Sequence, residues 1–134
     1  MQHQPLHAAA VRLQDNCIHL AQDGTMRACA KGGQTSGCIL VLHRVNGPDD
    51  AHYPIWEMHP EGDELLILVS GSLAVEFHEE EADRTEPLAP HSACIVRAGI
   101  WHRLIVYEPS VLMAITPRHN TAHAKVIPPL WANT

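Results

Sequence analysis

The segment EMHPEGDE, residues 57–64, decides how this chain is interpreted, and Gly71 follows it. Residues two apart in an extended strand point to the same face, so Glu57 and His59 are predicted to share one side. A proline and a glycine then mark a turn, after which Glu64 opens the next strand and can return to the same place. Two carboxylates and an imidazole in this arrangement can bind one divalent ion. Imidazole is a good ligand for Zn, Fe, Ni and Cu, and carboxylate is a good ligand for Mn and Fe.

A second segment, RAGIWH at residues 97–102, supplies another histidine downstream. A predicted strand ends here, Gly99 permits a tight turn, and His102 begins the following strand. From that position the His102 imidazole can face the same cavity as the first segment.

Short β-like runs separated by turn residues fill the rest of the chain, which predicts an all-β sandwich or barrel. The predicted strands are 38–45, 55–59, 64–69, 73–78, 93–97, 103–107 and 111–116. We expect 64–69 and 73–78 to form a hairpin through the turn at Ser70-Gly71. Residues 79–81 and roughly the next dozen are expected to be a solvated polar loop, and no convincing amphipathic helix occurs, although 8–22 could hold a short one.

Composition argues against several classes of protein. The 134 residues suit one domain, and 46% hydrophobic with 18% charged residues is typical of a globular chain. A formal charge of −6 argues against a nucleic-acid or membrane surface as the main role. The first ten residues lack the pattern of a secretory signal, and the four cysteines include no CxxC pair. We therefore expect a cytoplasmic protein with free thiols that binds neither nucleic acid nor membrane.

The two segments together resemble the motifs of the cupin family. The first family motif, G-x5-HxH-x3,4-E-x6-G, is present as Glu57-x-His59-x4-Glu64-x6-Gly71, and the second, G-x5-PxG-x2-H-x3-N, is retained as Gly99-x2-His102. The resemblance implies a small single-domain cupin, an all-β jelly-roll barrel or double-stranded β-helix. The implied organisation is an N-terminal extension with edge strands over 1–37, the barrel over 38–116, and a tail over 117–134 that packs on the barrel or on a neighbouring subunit.

The resemblance also implies a metal site. His59, Glu64 and His102 fall on three of the four family ligand positions, and Glu57 falls where the family usually has its first histidine. A site of two histidines and two carboxylates would shift the preference towards Mn, Fe(II) or Zn, with Ni also open, at one divalent ion per chain. If Glu57 is not a ligand, it can partner one or act as a general base. Asp63 competes with Glu64, but only Glu64 leaves six residues before the family glycine.

The second motif departs from the family at three places. His91 replaces its first glycine, Arg97 its proline and Val106 its asparagine, and we interpret these as changes of loop and fold edge rather than losses of a ligand. Trp56 and Trp101 each precede a proposed ligand, so alternation predicts that they point away from the metal, into a subunit interface or the outer packing layer. The alternative is that they line the mouth of the pocket.

Three functions fit this sequence. The first is a metal-dependent enzyme of dioxygenase type that acts on a small organic molecule in the barrel. The second is a metal-dependent isomerase or lyase in which Glu57 is the catalytic base. The third is a non-catalytic cupin that binds a small ligand. The run 65–69 is apolar on both faces of its strand, so its outer face needs a cover, and we expect a homodimer.

Overall fold

The structure is a computed structural model that describes residues 10–31 and 37–129. Residues 1–9 and 32–36 of the proposed N-terminal extension, and 130–134 of the tail, lie outside the described residues. The described strands are β1 Asn16–Leu20, β2 Met26–Ala30, β3 Cys38–Val45, β4 Trp56–Met58, β5 Glu64–Phe77, β6 Arg84–Leu88, β7 Ala93–Val96, β8 His102–Pro117 and β9 Ala122–Ala124, with a 3₁₀ turn at Pro48–Ala51.

The sheet is antiparallel throughout and is organised around the long strand β8. This strand pairs with β3, β4 and β5, and one path through the sheet runs β2-β1-β3-β8-β4-β9. Strand β5 lies along β8 and carries β6 and β7. This architecture confirms the predicted all-β jelly-roll class. Across the two described ranges, no helix is long and apolar enough to cross a bilayer.

The predicted hairpin at Ser70-Gly71 is wrong, because β5 continues through it as one bent strand. The register against β8 shifts three times between Leu68 and Leu73, which marks a bulged irregularity. The strand pairs with β7 before this bend and with β6 after it. Gly71 has φ +101°, and a Cβ there would lie 2.6 Å from the Pro109 carbonyl oxygen. The glycine therefore permits a bulge and a close approach of two backbones, not a chain reversal.

Three further expectations need correction. The predicted strands 103–107 and 111–116 are one strand, β8, because it pairs with β5 on both sides of the bend. The expected loop that begins at residue 79 contains β6, since Arg84–Leu88 pairs with the second half of β5. The described part of the suggested helix at 8–22 contains β1 instead, paired on both edges by β2 and β3.

The core is aliphatic and lies along the inner face of β5 and β8. Its largest fully buried members are Leu68, Leu73, Leu112, Val75 and Val96. The first half of β5 alternates strictly, so that Glu64 points inward on the same face as Leu66 and Leu68. Strand pairing therefore places one carboxylate at the end of an apolar core, where it needs partners.

Candidate metal centre

The structure brings the four predicted ligands to one point. Glu57 lies on β4 and is the direct cross-strand partner of His102, the first residue of β8. His59 follows β4 immediately, and Glu64 is the first residue of β5. One ligand atom from each of these residues lies within 4.8 Å of the others. His59, Glu64 and His102 are buried, while Glu57 is partly exposed.

The nitrogen and oxygen atoms of this cluster are in close contact. The distance from His59 Nε2 to Glu57 Oε1 is 2.8 Å, and that to Glu64 Oε2 is 3.4 Å. His102 Nε2 lies 2.9 Å from Glu64 Oε1. Glu64 therefore bridges the two imidazoles, and Glu57 closes the cluster from the exposed side.

The two imidazoles are held so that Nε2 faces the cluster. His102 Nδ1 lies 3.0 Å from the carbonyl oxygen of Ile100, which can only accept, so Nδ1–H donates. His59 Nδ1 lies 2.9 Å from Thr121 Oγ1, and the Thr121 hydroxyl itself donates to the Pro117 carbonyl. Thr121 Oγ1 therefore accepts a hydrogen bond from His59 Nδ1–H. In the neutral rings this leaves the Nε2 lone pairs directed inward, the arrangement that a metal-binding histidine needs.

His59 Nε2 is the observation that tests whether a cation fits. This atom is buried and makes no hydrogen bond of acceptable geometry, although carboxylate oxygens lie close to it. A buried polar atom without a partner costs about 1–3 kcal/mol. Two imidazoles and two carboxylates are also a donor set whose formal charge balances a divalent ion. The residues present therefore fit such an ion.

The ionisation of the cluster follows from its geometry. Burial lowers the pKa of His59, but the adjacent carboxylates of Glu57 and Glu64 outweigh it and raise this pKa to about 9. Burial raises the pKa of Glu64, but the adjacent imidazoles of His102 and His59 outweigh it and lower this pKa to about 2. Burial likewise opposes ionisation of Glu57, yet its contact with the His59 imidazole leaves its pKa below the usual value. Both carboxylates are thus charged at neutral pH, and a cation would compete with a proton on His59.

Three residues of the C-terminal segment support the cluster, and sequence reasoning missed all of them. Thr116 Oγ1 donates to Glu64 Oε2 at 2.7 Å, Thr121 contacts His59, and His123 Nε2 lies 2.9 Å from Glu57 Oε2. The alternation of Thr121 and His123 was the available signal, because it is that of a short strand with one polar face. The neighbouring prolines made this segment resemble an irregular tail.

Asp63, the competitor of Glu64, has a different position. Its side chain is exposed, accepts from the Ala98 amide at 2.9 Å and pairs with Arg97 at 3.0 Å. The Gly99 amide in turn donates to the His59 carbonyl at 2.9 Å. These bonds join the turn that carries His59 to the turn that precedes His102, and they explain why an arginine at position 97 is accommodated.

The other departures from the second motif lie outside the cluster. His91 has φ +66°, so it keeps the left-handed conformation that a glycine adopts easily. Val106 is buried in the apolar core.

The two tryptophans that precede proposed ligands differ in burial. Trp56 is buried, with the Arg103 guanidinium 4.0 Å above its ring, while Trp101 is half-buried.

A pocket of about 320 Å³ opens beside the cluster. Glu57, Glu64 and His102 form part of its wall. Its apolar lining includes Ile39, Val41, Val45, Leu66, Leu104 and Leu112, and its polar lining includes His43, His52, Arg118 and His123. This volume is at the lower end for sites that hold small organic ligands.

The chain has a partial match among known protein sequences. No family model matches the chain. An uncharacterized protein of Bacillus subtilis strain 168, YdbB, is 29% identical over 72 residues, which are 54% of this chain and 59% of that protein. The chain thus spans little more than half the length of the curated relative it matches.

Two solved structures also match the chain. Hydroxypropylphosphonic acid epoxidase of S. wedmorenis is 16% identical, with a TM-score of 0.51 over 81% of this chain and 59% of its own. A cupin-2 domain protein of Shewanella frigidimarina is 24% identical, with a TM-score of 0.46 over 60% of this chain and 71% of its own. With its antiparallel topology and its similarity to the epoxidase, the chain has a cupin-type β fold. It carries a candidate site for a divalent metal ion at one end of its core.

Proposed function

We propose that this protein is a metal-dependent enzyme of dioxygenase type that acts on a small organic molecule in the pocket. Glu57, His59, Glu64 and His102 are the proposed ligands of one divalent ion per chain. The observation that carries the proposal is the buried Nε2 of His59, which makes no hydrogen bond and lies among ligand atoms of Glu57, Glu64 and His102, the three residues of the cluster that line the pocket.

The residues of the chain have separable tasks in this proposal. A divalent ion with open coordination positions supplies Lewis-acid or redox chemistry to a bound substrate. Ile100 and Thr121 fix the tautomers of His102 and His59. The apolar wall of Leu66, Leu104 and Leu112 excludes water from the reacting part of the substrate.

Two histidines with a carboxylate are the ligand pattern of non-haem Fe(II) oxygenases, which supports an oxidative reaction. Hydroxypropylphosphonic acid epoxidase, whose fold is similar, has been solved in its Fe(II) form, with a TM-score of 0.50 to this chain. Glu57 is the additional carboxylate, and as a fourth ligand it would fill a further coordination position.

A second candidate is a metal-dependent isomerase or lyase, and the exposure of Glu57 favours it. This side chain is 36% exposed, lines the pocket and has a pKa below its usual value. An ionised carboxylate at the pocket wall can accept a proton from a substrate carbon or hydroxyl. In this candidate Glu57 is the catalytic base, and the other three residues hold the ion.

Elemental analysis of protein purified without a His tag tests the metal site. We expect about one Fe, Mn or Zn per chain, and a loss of most of it in His59→Ala and His102→Ala. His119→Ala changes an exposed histidine that is not in the cluster and should retain the metal. If the wild-type protein binds no metal even after reconstitution, the enzyme proposal fails and a metal-free ligand-binding cupin remains.

An oxygen-uptake screen separates the two enzymatic candidates. Fe(II)-loaded protein is mixed with small carboxylic acids and diketones, and oxygen consumption and products are followed with and without air. Substrate-dependent oxygen uptake supports the dioxygenase, whereas turnover without oxygen that is lost in Glu57→Gln supports the isomerase or lyase.

We also propose that the protein is a homodimer through the outer face of β5 and β7. Leu65 pairs directly with Ile95 across the two strands, so the two side chains share this face, and Ile95 is 53% exposed. Val69 extends the face along β5 and is also exposed. Sedimentation equilibrium at micromolar concentration should give a dimer that Ile95→Glu dissociates, with Val126→Glu in the exposed tail as control. A monomeric wild-type protein would contradict the proposal.

A further inference from the structure

We infer that strand β9 is part of the metal centre and that His123 is the positioning residue that orients the Glu57 carboxylate. This inference rests on the proposed metal site and adds a residue that lies beyond both motif segments. It is carried by a contact between two strands that are far apart in the sequence.

The contact is fixed by the backbone. Glu57 and His123 are direct partners in the antiparallel pairing of β4 with β9, so their side chains share one face at short range. His123 Nε2 lies 2.9 Å from Glu57 Oε2, while Glu57 Oε1 lies 2.8 Å from His59 Nε2. The two oxygens of one carboxylate thus have different partners, one outside the cluster and one inside it.

Glu57 needs such a partner more than the other ligands do. Glu64 is buried and accepts from Thr116 Oγ1, which fixes one of its oxygens. Glu57 is partly exposed and its side chain has three rotatable bonds, so nothing within β4 prevents its carboxylate from turning into the solvent. An N–H donor on Oε2 holds the carboxylate in place and leaves Oε1 directed at the cluster.

Other residues of the segment 116–123 also hold proposed ligands in place. Thr116, Thr121 and His123 contact Glu64, His59 and Glu57 respectively, so three of the four proposed ligands are supported from one stretch of eight residues. The fourth, His102, is held by the Ile100 carbonyl within its own turn. Because His123 is 57% exposed, its replacement removes little packing and mainly removes the contact with Glu57.

A Co(II) titration of the full chain, followed by visible absorption, tests the inference. We expect His123→Ala to weaken Co(II) binding about 10–100-fold and to change the ligand-field bands, because the Glu57 carboxylate is no longer held. His123→Gln places an amide N–H close to the position of Nε2 and should restore most of the affinity and the wild-type bands. His119→Ala, in the same segment, should match the wild type in both.

The outcomes separate the role of His123 from the existence of the metal site. If His123→Ala binds Co(II) with wild-type affinity and bands, His123 does not position Glu57 and the inference is wrong. If His123→Gln behaves like His123→Ala, the hydrogen bond is not the cause and the inference is equally wrong. If the wild-type protein binds no Co(II), the metal site itself is refuted and the inference falls with it. Circular dichroism of each metal-free variant checks that the β fold as a whole is retained.

Discussion

At the scale of single residues, the centre depends on which atoms are left without a protein partner. Each proposed ligand has one atom held by a neighbour and another directed into the cluster. His59 shows this most clearly, because Nδ1 is hydrogen-bonded to Thr121 whereas Nε2 makes no hydrogen bond and faces the carboxylates of the cluster. The neighbouring residues determine which nitrogen of each imidazole faces the cluster. Replacing such a neighbour should therefore lower the metal affinity nearly as much as replacing a ligand.

Thr116→Val should destabilise the protein by about 1–3 kcal/mol, since it removes the hydroxyl that donates to the buried Glu64 carboxylate while preserving shape. Urea unfolding in the presence of a chelator measures the effect without metal. Thr85→Val, an exposed threonine on β6, is the matched control and should leave stability nearly unchanged. Equal unfolding midpoints for the two variants would show that the bond to Glu64 is dispensable.

Individual residues also differ in whether the sequence alone could predict their place in the site. The clustering of Glu57, His59 and Glu64 could be predicted because strand alternation is a local property, and His102 was added by the resemblance of the second segment to a family motif. His123 and Thr121 could not be found in this way. Their contacts depend on the pairing of β9 with β4, more than sixty positions apart, and no local pattern specifies that register.

At the scale of elements, the bend in β5 decides where the site lies. The first half of the strand starts at Glu64 and pairs with β7, and the second half turns away to pair with β6. Sequence reasoning interpreted Gly71 as a hairpin turn, because a glycine within a strand pattern signals either a reversal or a bulge. The partner strand decides between them, and here β8 runs alongside both halves.

Gly71→Ala should destabilise the protein by about 2–4 kcal/mol, because its positive φ disfavours a side chain and the new Cβ would meet Pro109 O and Ser110. Thermal unfolding by circular dichroism measures the loss. Gly24 also has a positive φ, but a Cβ added there would have no atom within 4 Å, so Gly24→Ala isolates the backbone cost and should be milder. Similar losses in both variants would mean that the close approach at the bulge adds nothing.

At the scale of the whole molecule, the fold brings ligands and their supporting residues from four separate strands to one point. Such a site is formed only when β4, β5, β8 and β9 are all in place, so a bound ion selects the native state over the unfolded chain. The all-β class was predictable from alternation and turn residues. The pairing of β9 with the sheet could not be predicted, because a strand of three residues is too short to show a clear alternation of polar and apolar residues.

Mn(II) at a hundredfold excess over its Kd should stabilise the protein by about 2.7 kcal/mol, because an ion that binds only the folded state shifts the equilibrium by mass action. The shift of the urea midpoint between chelator and Mn(II) measures it. His102→Ala should show no such shift, whereas His119→Ala should show it in full. A wild-type protein that unfolds at the same urea concentration in both conditions would contradict the proposed site.

The pairing of β4 with β9 also has a kinetic consequence. The groups that surround the centre span residues 57–123, so the loops that join them must close before a cation can meet a complete set of ligands. Binding energy that is gained only at this late stage does not lower the free-energy barrier to folding. It is lost when the protein unfolds, and it therefore raises the barrier to unfolding. Metal should therefore prolong the lifetime of the native state, by slowing its unfolding, while the speed of refolding stays nearly the same.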